Sequence, residues 1–132
     1  MVITIDTSAL LSVLLNEKHK PAIVEVTKGH DLHAPSCLDA EVGNALSAMF
    51  KRNLITLEEG ERVLSQFGEI PIRRTKLRLK EATKLAHTHN IYAYDAYVLD
   101  CALQYRSLLL SLDNKLKEVG KELQLTLLEV SE

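Results

Sequence analysis

Short apolar segments that favour β-strands recur along the chain, and most are followed by a stretch with helical periodicity. The five segments are VITI (2–5), DLHAP (31–35), EIPIR (69–73), SLLLSL (107–112) and QLTLLEV (124–130). Two predicted helices begin after residues 6 and 20. Five more span about 38–52, 57–67, 77–89, 93–105 and 114–121. This alternation predicts an α/β fold, a five-stranded parallel sheet in three layers with helices on both faces. In such a sheet, the functional site lies beyond the carboxyl ends of the strands.

Bulk properties limit the size and class of the protein. No linker or repeat divides the 132 residues, so residues 1–132 are expected to form a single domain. The net charge of −2 offers no global positive field, so any nucleic-acid binding must use a local patch. Cys37 and Cys101 lack CxxC spacing, which suits a reducing compartment. Because no basic signal-peptide start or run of about 20 apolar residues occurs, we expect a cytoplasmic protein without membrane contact.

Four acidic residues occupy positions where a site is expected. Asp6 and Asp113 directly follow the first and fourth predicted strands. Either one alone is more simply explained as a helix N-cap. Glu41 and Asp95 project from the apolar faces of two predicted helices. Pairing with a buried Arg or Lys would explain them, but neither helix offers such a partner on that face.

If the four acids converge, their chemistry points to a metal site. Clustered carboxylates raise one another's pKa and destabilise the fold unless a cation neutralises them. Oxygen ligands favour Mg²⁺ or Mn²⁺ over zinc, and Mg²⁺ is commonly shared between carboxylates and substrate phosphates. The predicted reaction is metal-assisted hydrolysis of a phosphodiester, with an activated water as the attacking group.

The segment YAYDAYVLDCA (92–102) contains two acids, Asp95 and Asp100, among otherwise apolar and aromatic residues. They are five positions apart, which is about 140° around a helix, so they cannot share a face. Asp95 shares its face with Val98 and Leu99 and is predicted to point inward, near the helix start where the dipole favours an anion. Asp100 is predicted to face water or a surface contact.

Four motifs in order carry a resemblance to a known family: IDTSALLSVL, EVGNAL, YDAYVLDCA and SLDNKL. The chain resembles the PIN-domain ribonucleases, and among them the VapC-like toxins of toxin–antitoxin pairs. The resemblance covers nearly the whole chain. It implies Mg²⁺- or Mn²⁺-dependent endoribonuclease activity, with Asp6, Glu41, Asp95 and Asp113 as the catalytic metal ligands.

The same resemblance implies supporting residues and partners. Ser8 and Ser111 match small polar residues near the first and last acids, and Asn44 matches a residue that orients the glutamate three positions before it. Asn114 stands where some members have a further acid, so a second metal would be held weakly or only with substrate. Asp100 matches no motif. Members of this kind usually form homodimers and are inhibited by a small antitoxin whose tail covers the acidic site.

Basic residues concentrate in RRTKLRLKEATK (73–84). A solvated helix face explains most of them. Arg73 and Arg74, near the end of the third predicted strand, are the better candidates for RNA phosphate contacts.

Two alternatives remain open from the sequence. A haloacid-dehalogenase-type phosphatase or another metal-dependent phosphohydrolase would use the same sheet, although the former needs a second Asp where Ser8 stands. A catalytically inactive PIN module could instead act as an RNA- or protein-binding scaffold.

Overall fold

Four parallel strands form the central sheet of the computed structural model, which describes residues 1–130. The last two residues of the predicted domain, 131 and 132, lie outside the described residues. The strands are β1 (Val2–Ile5), β2 (Asp31–Pro35), β3 (Ile72–Thr75) and β4 (Leu108–Leu110). Their order is β3-β2-β1-β4, so β1 and β2 are the central strands. Thr4 pairs with His33 on one side and Leu109 on the other, and His33 pairs with Arg73.

Helices cover both faces of this sheet, as the alternation of segments predicted. They are α1 (Thr7–Leu14), α2 (Lys20–Thr27), α3 (Leu38–Lys51), α4 (Leu57–Glu69), α5 (Leu79–His89), α6 (Ala93–Tyr105) and α7 (Asn114–Glu122). Side-chain alternation along the strands divides the core. Ile3, Ile5 and Leu110 pack in one apolar cluster with residues of α1 to α4, whereas Leu109 packs in another with residues of α6 and α7. Within residues 1–130, no helix has the length and apolar character needed to cross a membrane.

The third strand lies later in the chain than predicted, at 72–75 instead of 69–73. Glu69 is still the last residue of α4, and Pro71 has no backbone N–H to donate to a ladder. Pairing with β2 therefore begins at Ile72. Arg73 and Arg74 consequently lie within the strand, and their side chains point to opposite faces of the sheet.

The fifth predicted strand is wrong, since the sheet has four strands. Residues 124–130 form one isolated parallel bridge, between Leu109 and Leu127. Leu109 donates to the Thr126 carbonyl at 2.9 Å, and the Leu128 N–H donates to the Leu109 carbonyl at 2.9 Å. The neighbouring strand β4 has only three residues, so no longer ladder forms along it. The apolar side chains of the segment still pack on the two clusters, which explains why its pattern is that of a strand.

The predicted exposure of Asp100 is also wrong. The Asp100 side chain is 5% exposed and forms a two-bond ion pair with Arg78, through Nη2 at 2.6 Å and Nε at 3.0 Å. Arg78 directly precedes α5, so the ion pair joins that end of α5 to the middle of α6. The prediction failed because it considered partners within the helix alone, whereas Arg78 is 22 positions away.

Candidate active site

Asp6 lies at the carboxyl end of β1 and is buried. It is the N-cap of α1, where Oδ1 accepts from the Ala9 N–H at 3.0 Å. The Ser8 hydroxyl donates to the same oxygen at 2.7 Å, and the Ser111 hydroxyl donates to Oδ2. The cap and site interpretations therefore do not compete, because the hydrogen bonds of the cap also fix the carboxylate in place.

Asp113 lies beyond β4, the strand next to β1, and is exposed. It is the N-cap of α7 and accepts from the Leu116 N–H at 3.0 Å. The Asp113 N–H donates to the Ser111 hydroxyl at 3.0 Å, and that hydroxyl donates to Asp6. Ser111 thus links the first and last acids of the predicted site. Asn114, the first residue of α7, is exposed.

Glu41 lies in the first turn of α3 and is half-buried. The Thr7 hydroxyl donates to its Oε1 at 3.2 Å, and the Cys37 thiol donates to its Oε2 at 3.2 Å. No described hydrogen bond joins it to Asn44, whose orienting role stays a prediction, and Thr7 and Cys37 are the residues that hold the Glu41 carboxylate. Both could have been found in the sequence, since Thr7 follows Asp6 and Cys37 lies one helical turn before Glu41.

Asp95 lies in the first turn of α6 and is half-buried. Val98 and Leu99 on its face are buried, as predicted. In the described part of the chain, no donor lies within hydrogen-bond distance of its carboxylate and no cation pairs with it. Asp95 therefore differs from Asp100, on the same helix, which has a bidentate partner.

Burial and the negative charges of the other acids in this group of four raise the pKa of Asp6, Glu41 and Asp95. Burial raises the pKa of Asp95, and the charges of Asp113 and Asp6 raise it further. Burial also raises the pKa of Glu41, where hydrogen bonds from Cys37 and Thr7 oppose it and the charges of Asp6 and Asp95 add to it.

Opposing effects also act on the pKa of Asp6. Burial raises the pKa of Asp6, hydrogen bonds from Ser111, Ala9 and Ser8 oppose it, and the charge of Asp113 adds to it. The charge of Glu41 also acts on Cys37, since burial together with that carboxylate raises the pKa of the thiol to about 12. The site is thus a region of negative potential, and no ion pair within residues 1–130 offsets it.

The donor set fits a hard divalent cation. Within residues 1–130, no three His, Cys, Asp or Glu side chains are close enough together to enclose an ion by themselves. Mg²⁺ does not need such a cage, because it keeps several waters and is held by one or two carboxylates together with substrate phosphates. Asp95, with no hydrogen-bond donor and no cation beside it, is the carboxylate whose oxygens are most available.

Arg73 and Arg74 do not form one basic patch at this site. The Arg74 guanidinium pairs with Asp39 at 2.8 Å and lies 5.2 Å from the ring centroid of Phe67. Arg73 faces the other side of the sheet and lines a separate cavity with His33. Neither side chain forms a described hydrogen bond or ion pair with Asp6, Glu41, Asp95 or Asp113.

Comparisons with known proteins agree with the fold and the motifs. The PIN domain family profile matches residues 3–122. Ribonuclease VapC12 of Mycobacterium tuberculosis is 33% identical over 99 residues, which cover 74% of this chain and 76% of that protein. Ribonuclease VapC3 of Pyrobaculum aerophilum is 28% identical over 123 residues, which cover 89% of this chain and 94% of that protein.

Solved structures share the architecture at low sequence identity. VapBC2 from Rickettsia felis, bound to a DNA fragment from its promoter, superposes with a TM-score of 0.68 at 16% identity and covers 99% of this chain and 100% of that one. FitAcB from Neisseria gonorrhoeae superposes with a TM-score of 0.67 at 15% identity, covering 96% of each chain. The resemblance carried by the four motifs is confirmed. The chain belongs to the PIN-domain family, and VapC ribonucleases are among its relatives.

Proposed function

We propose that this chain is a Mg²⁺- or Mn²⁺-dependent endoribonuclease, the toxin of a toxin–antitoxin pair. One observation carries the proposal: Ser111 joins Asp6 to Asp113, Thr7 beside Asp6 binds Glu41, and no ion pair within residues 1–130 involves these acids or Asp95. A structural cluster of acids is expected to be paired within the chain. An unpaired cluster fits a cation that arrives from outside.

Each acid has a distinct part in this proposal. Asp6 is the rigid anchor, because the three hydrogen bonds that it accepts leave its carboxylate no freedom to turn. Glu41 and Asp95 flank it from α3 and α6, and Asp113 completes the group at the start of α7. When bound, the ion would supply charge stabilisation at the phosphate and lower the pKa of the attacking water. With Asn114 in place of a further acid, a second ion would depend on substrate for its ligands.

The proposed partners follow from the relatives. The ribonuclease names of the sequence relatives support RNA as the substrate, and the VapBC2 structure supports a cognate antitoxin. We include in the proposal a homodimer, a location in the cytoplasm without membrane contact, and a single domain that comprises the whole chain.

Cleavage of RNA by matched variants tests the proposal. Asp95→Asn and Glu41→Gln should abolish Mg²⁺-dependent cleavage and keep the circular dichroism spectrum of the folded chain. Asp39→Asn is the control, since Asp39 lies in the same turn of α3 as Glu41 but is 59% exposed and paired with Arg74. It should cleave at close to the wild-type rate. Cleavage that survives loss of Glu41 and Asp95, or a wild-type chain that binds RNA without cutting it, would contradict the proposal; the second result would favour an inactive scaffold.

A further inference from the structure

A cavity of about 210 Å³ adjoins the candidate active site, where the starts of α1, α3 and α6 meet. Its lining residues are Thr7, Ala40, Glu41, Asn44, Ala45 and Tyr94. Glu41 belongs to both the cavity and the acidic group. Thr7 follows Asp6 in the sequence, and Tyr94 precedes Asp95. A group in this cavity would therefore lie directly beside the reacting phosphate.

The walls of the cavity combine an aromatic ring with a free amide. Tyr94 is 55% exposed, and its ring makes an edge-to-face contact with Tyr97, with 6.1 Å between centroids and 73° between planes. Asn44 is exposed, and its side-chain amide has no hydrogen-bond partner in the described part of the chain. Ala45 adds a small apolar surface. An amide offers both donors and an acceptor, so these walls suit a flat ring with polar edges.

The charge and size of the cavity narrow the choice of occupant. No Lys or Arg among residues 1–130 lines it, and Glu41 contributes negative charge, so a phosphate is disfavoured. Its volume is below the roughly 300–1,000 Å³ of pockets that bind whole small molecules. It therefore suits one ring system rather than a complete nucleotide.

We propose that this cavity holds one nucleobase of the RNA, next to the bond that is cleaved, with Tyr94 stacking on the base and Asn44 reading its edge. Unpaired RNA bases are bound in this way by aromatic side chains and by hydrogen bonds to their edges. The inference rests on the proposed ribonuclease function. It makes Tyr94 and Asn44 positioning residues, which select where the acids cut.

Kinetics with a pool of short single-stranded RNAs of randomised sequence test this role. Tyr94→Ala should raise KM on the order of 5- to 150-fold, the range that corresponds to loss of one base–aromatic stack, while kcat changes less. Tyr94→Phe keeps the ring and should restore KM. Tyr92→Ala is the control, because Tyr92 is 86% exposed and lines a different cavity. Sequencing of the product ends should show that Asn44→Ala alters the preferred base at one position beside the cut.

The outcomes separate this inference from the proposed function. If the wild-type chain cleaves the pool, and Tyr94→Ala cleaves it with the same KM and base preference, the nucleobase site is refuted and the ribonuclease stands. If Tyr94→Ala instead changes only the sedimentation coefficient, the surface contacts a protein, which also refutes it. Absence of cleavage by the wild-type chain with Mg²⁺ would refute the ribonuclease itself, and the nucleobase site with it.

Discussion

Removal of one partner from the ion pair between Arg78 and Asp100 should cost more stability than removal of one partner from the exposed pair between Arg74 and Asp39. Replacement of Arg78 by Met keeps most of the side-chain volume but leaves a carboxylate that is 5% exposed without its partner. Breaking a fully buried pair costs about 3–5 kcal/mol of the free energy of unfolding, and because Arg78 is 37% exposed we expect about 3 kcal/mol here. For a domain of this length, that corresponds to a melting temperature lowered by roughly 10 °C.

The reverse replacement should cost less. In Asp100→Asn the Arg78 side chain, already 37% exposed, can turn its guanidinium into water, and the amide occupies the space of the carboxylate. We expect a loss of about 1–2 kcal/mol, the value of a charge-assisted hydrogen bond whose partner is not left buried. The double variant should lose less than the sum of the two single variants, because the unpaired buried charge is then absent.

Urea unfolding of the four proteins in this cycle, followed by circular dichroism, measures these differences. Asp39→Asn is the comparison, since it breaks a pair that is mostly exposed and should cost less than about 1 kcal/mol. If Arg78→Met lowers the free energy of unfolding by no more than Asp39→Asn does, the argument from burial is refuted. It is also refuted if the loss in the double variant equals the sum of the losses in the two single variants. Per folded molecule, Asp100→Asn should cleave RNA at close to the wild-type rate, because Asp100 pairs with Arg78 and makes no contact with the four acids.

Other perturbations test the site and the packing. Millimolar Mg²⁺ or Mn²⁺ should raise the melting temperature by relieving repulsion among the carboxylates, and the rise should shrink when one of the four acids is neutralised; an equal rise in such a variant would contradict this. Gly60→Ala should lower the free energy of unfolding, measured in urea, by about 1–3 kcal/mol, because the new Cβ would lie 2.5 Å from Phe50 Cζ. Gly68→Ala is the control: its Cβ meets no atom within 4 Å, so the substitution should be neutral or stabilising. Arg73→Ala should reduce the salt dependence of RNA affinity by about one unit if Arg73 contacts phosphate, and Arg74→Ala should reduce it less because Asp39 already holds that guanidinium; fluorescence anisotropy at several salt concentrations compares the two.

The fold was predictable from the sequence wherever a segment's own pattern decided its structure. Seven helices and the four strands follow from periodicity, from Pro21 at a helix start and from acids that cap. The prediction was wrong where the structure of a segment depends on the strand next to it. Residues 124–130 alternate like a strand, but β4 is too short to pair with them along their length.

The candidate site was predictable to a similar extent. Acids at strand ends and on apolar helix faces could be picked out because their burial needs an explanation. The contacts that hold Glu41 in place come from Thr7 and Cys37, and only the first of these is distant, by 34 positions. Arg73 and Arg74 lie near the end of the third strand as predicted, but β3 begins later than predicted and strand alternation separates the two side chains.

The two acids of α6, Asp95 and Asp100, differ in whether the described chain supplies a partner for the carboxylate. Asp100 is the more deeply buried, and the chain supplies its countercharge through Arg78 in a bidentate geometry. Asp95 lies on another face of the same helix, with its pKa raised by burial and by two further acids, and the described chain provides neither cation nor donor. A chain that supplies two hydrogen bonds from Arg78 to one buried carboxylate could have supplied such a partner to the other. Because it does not, we propose that a ligand from outside the chain satisfies Asp95, and a divalent cation shared with an RNA phosphate would balance its charge.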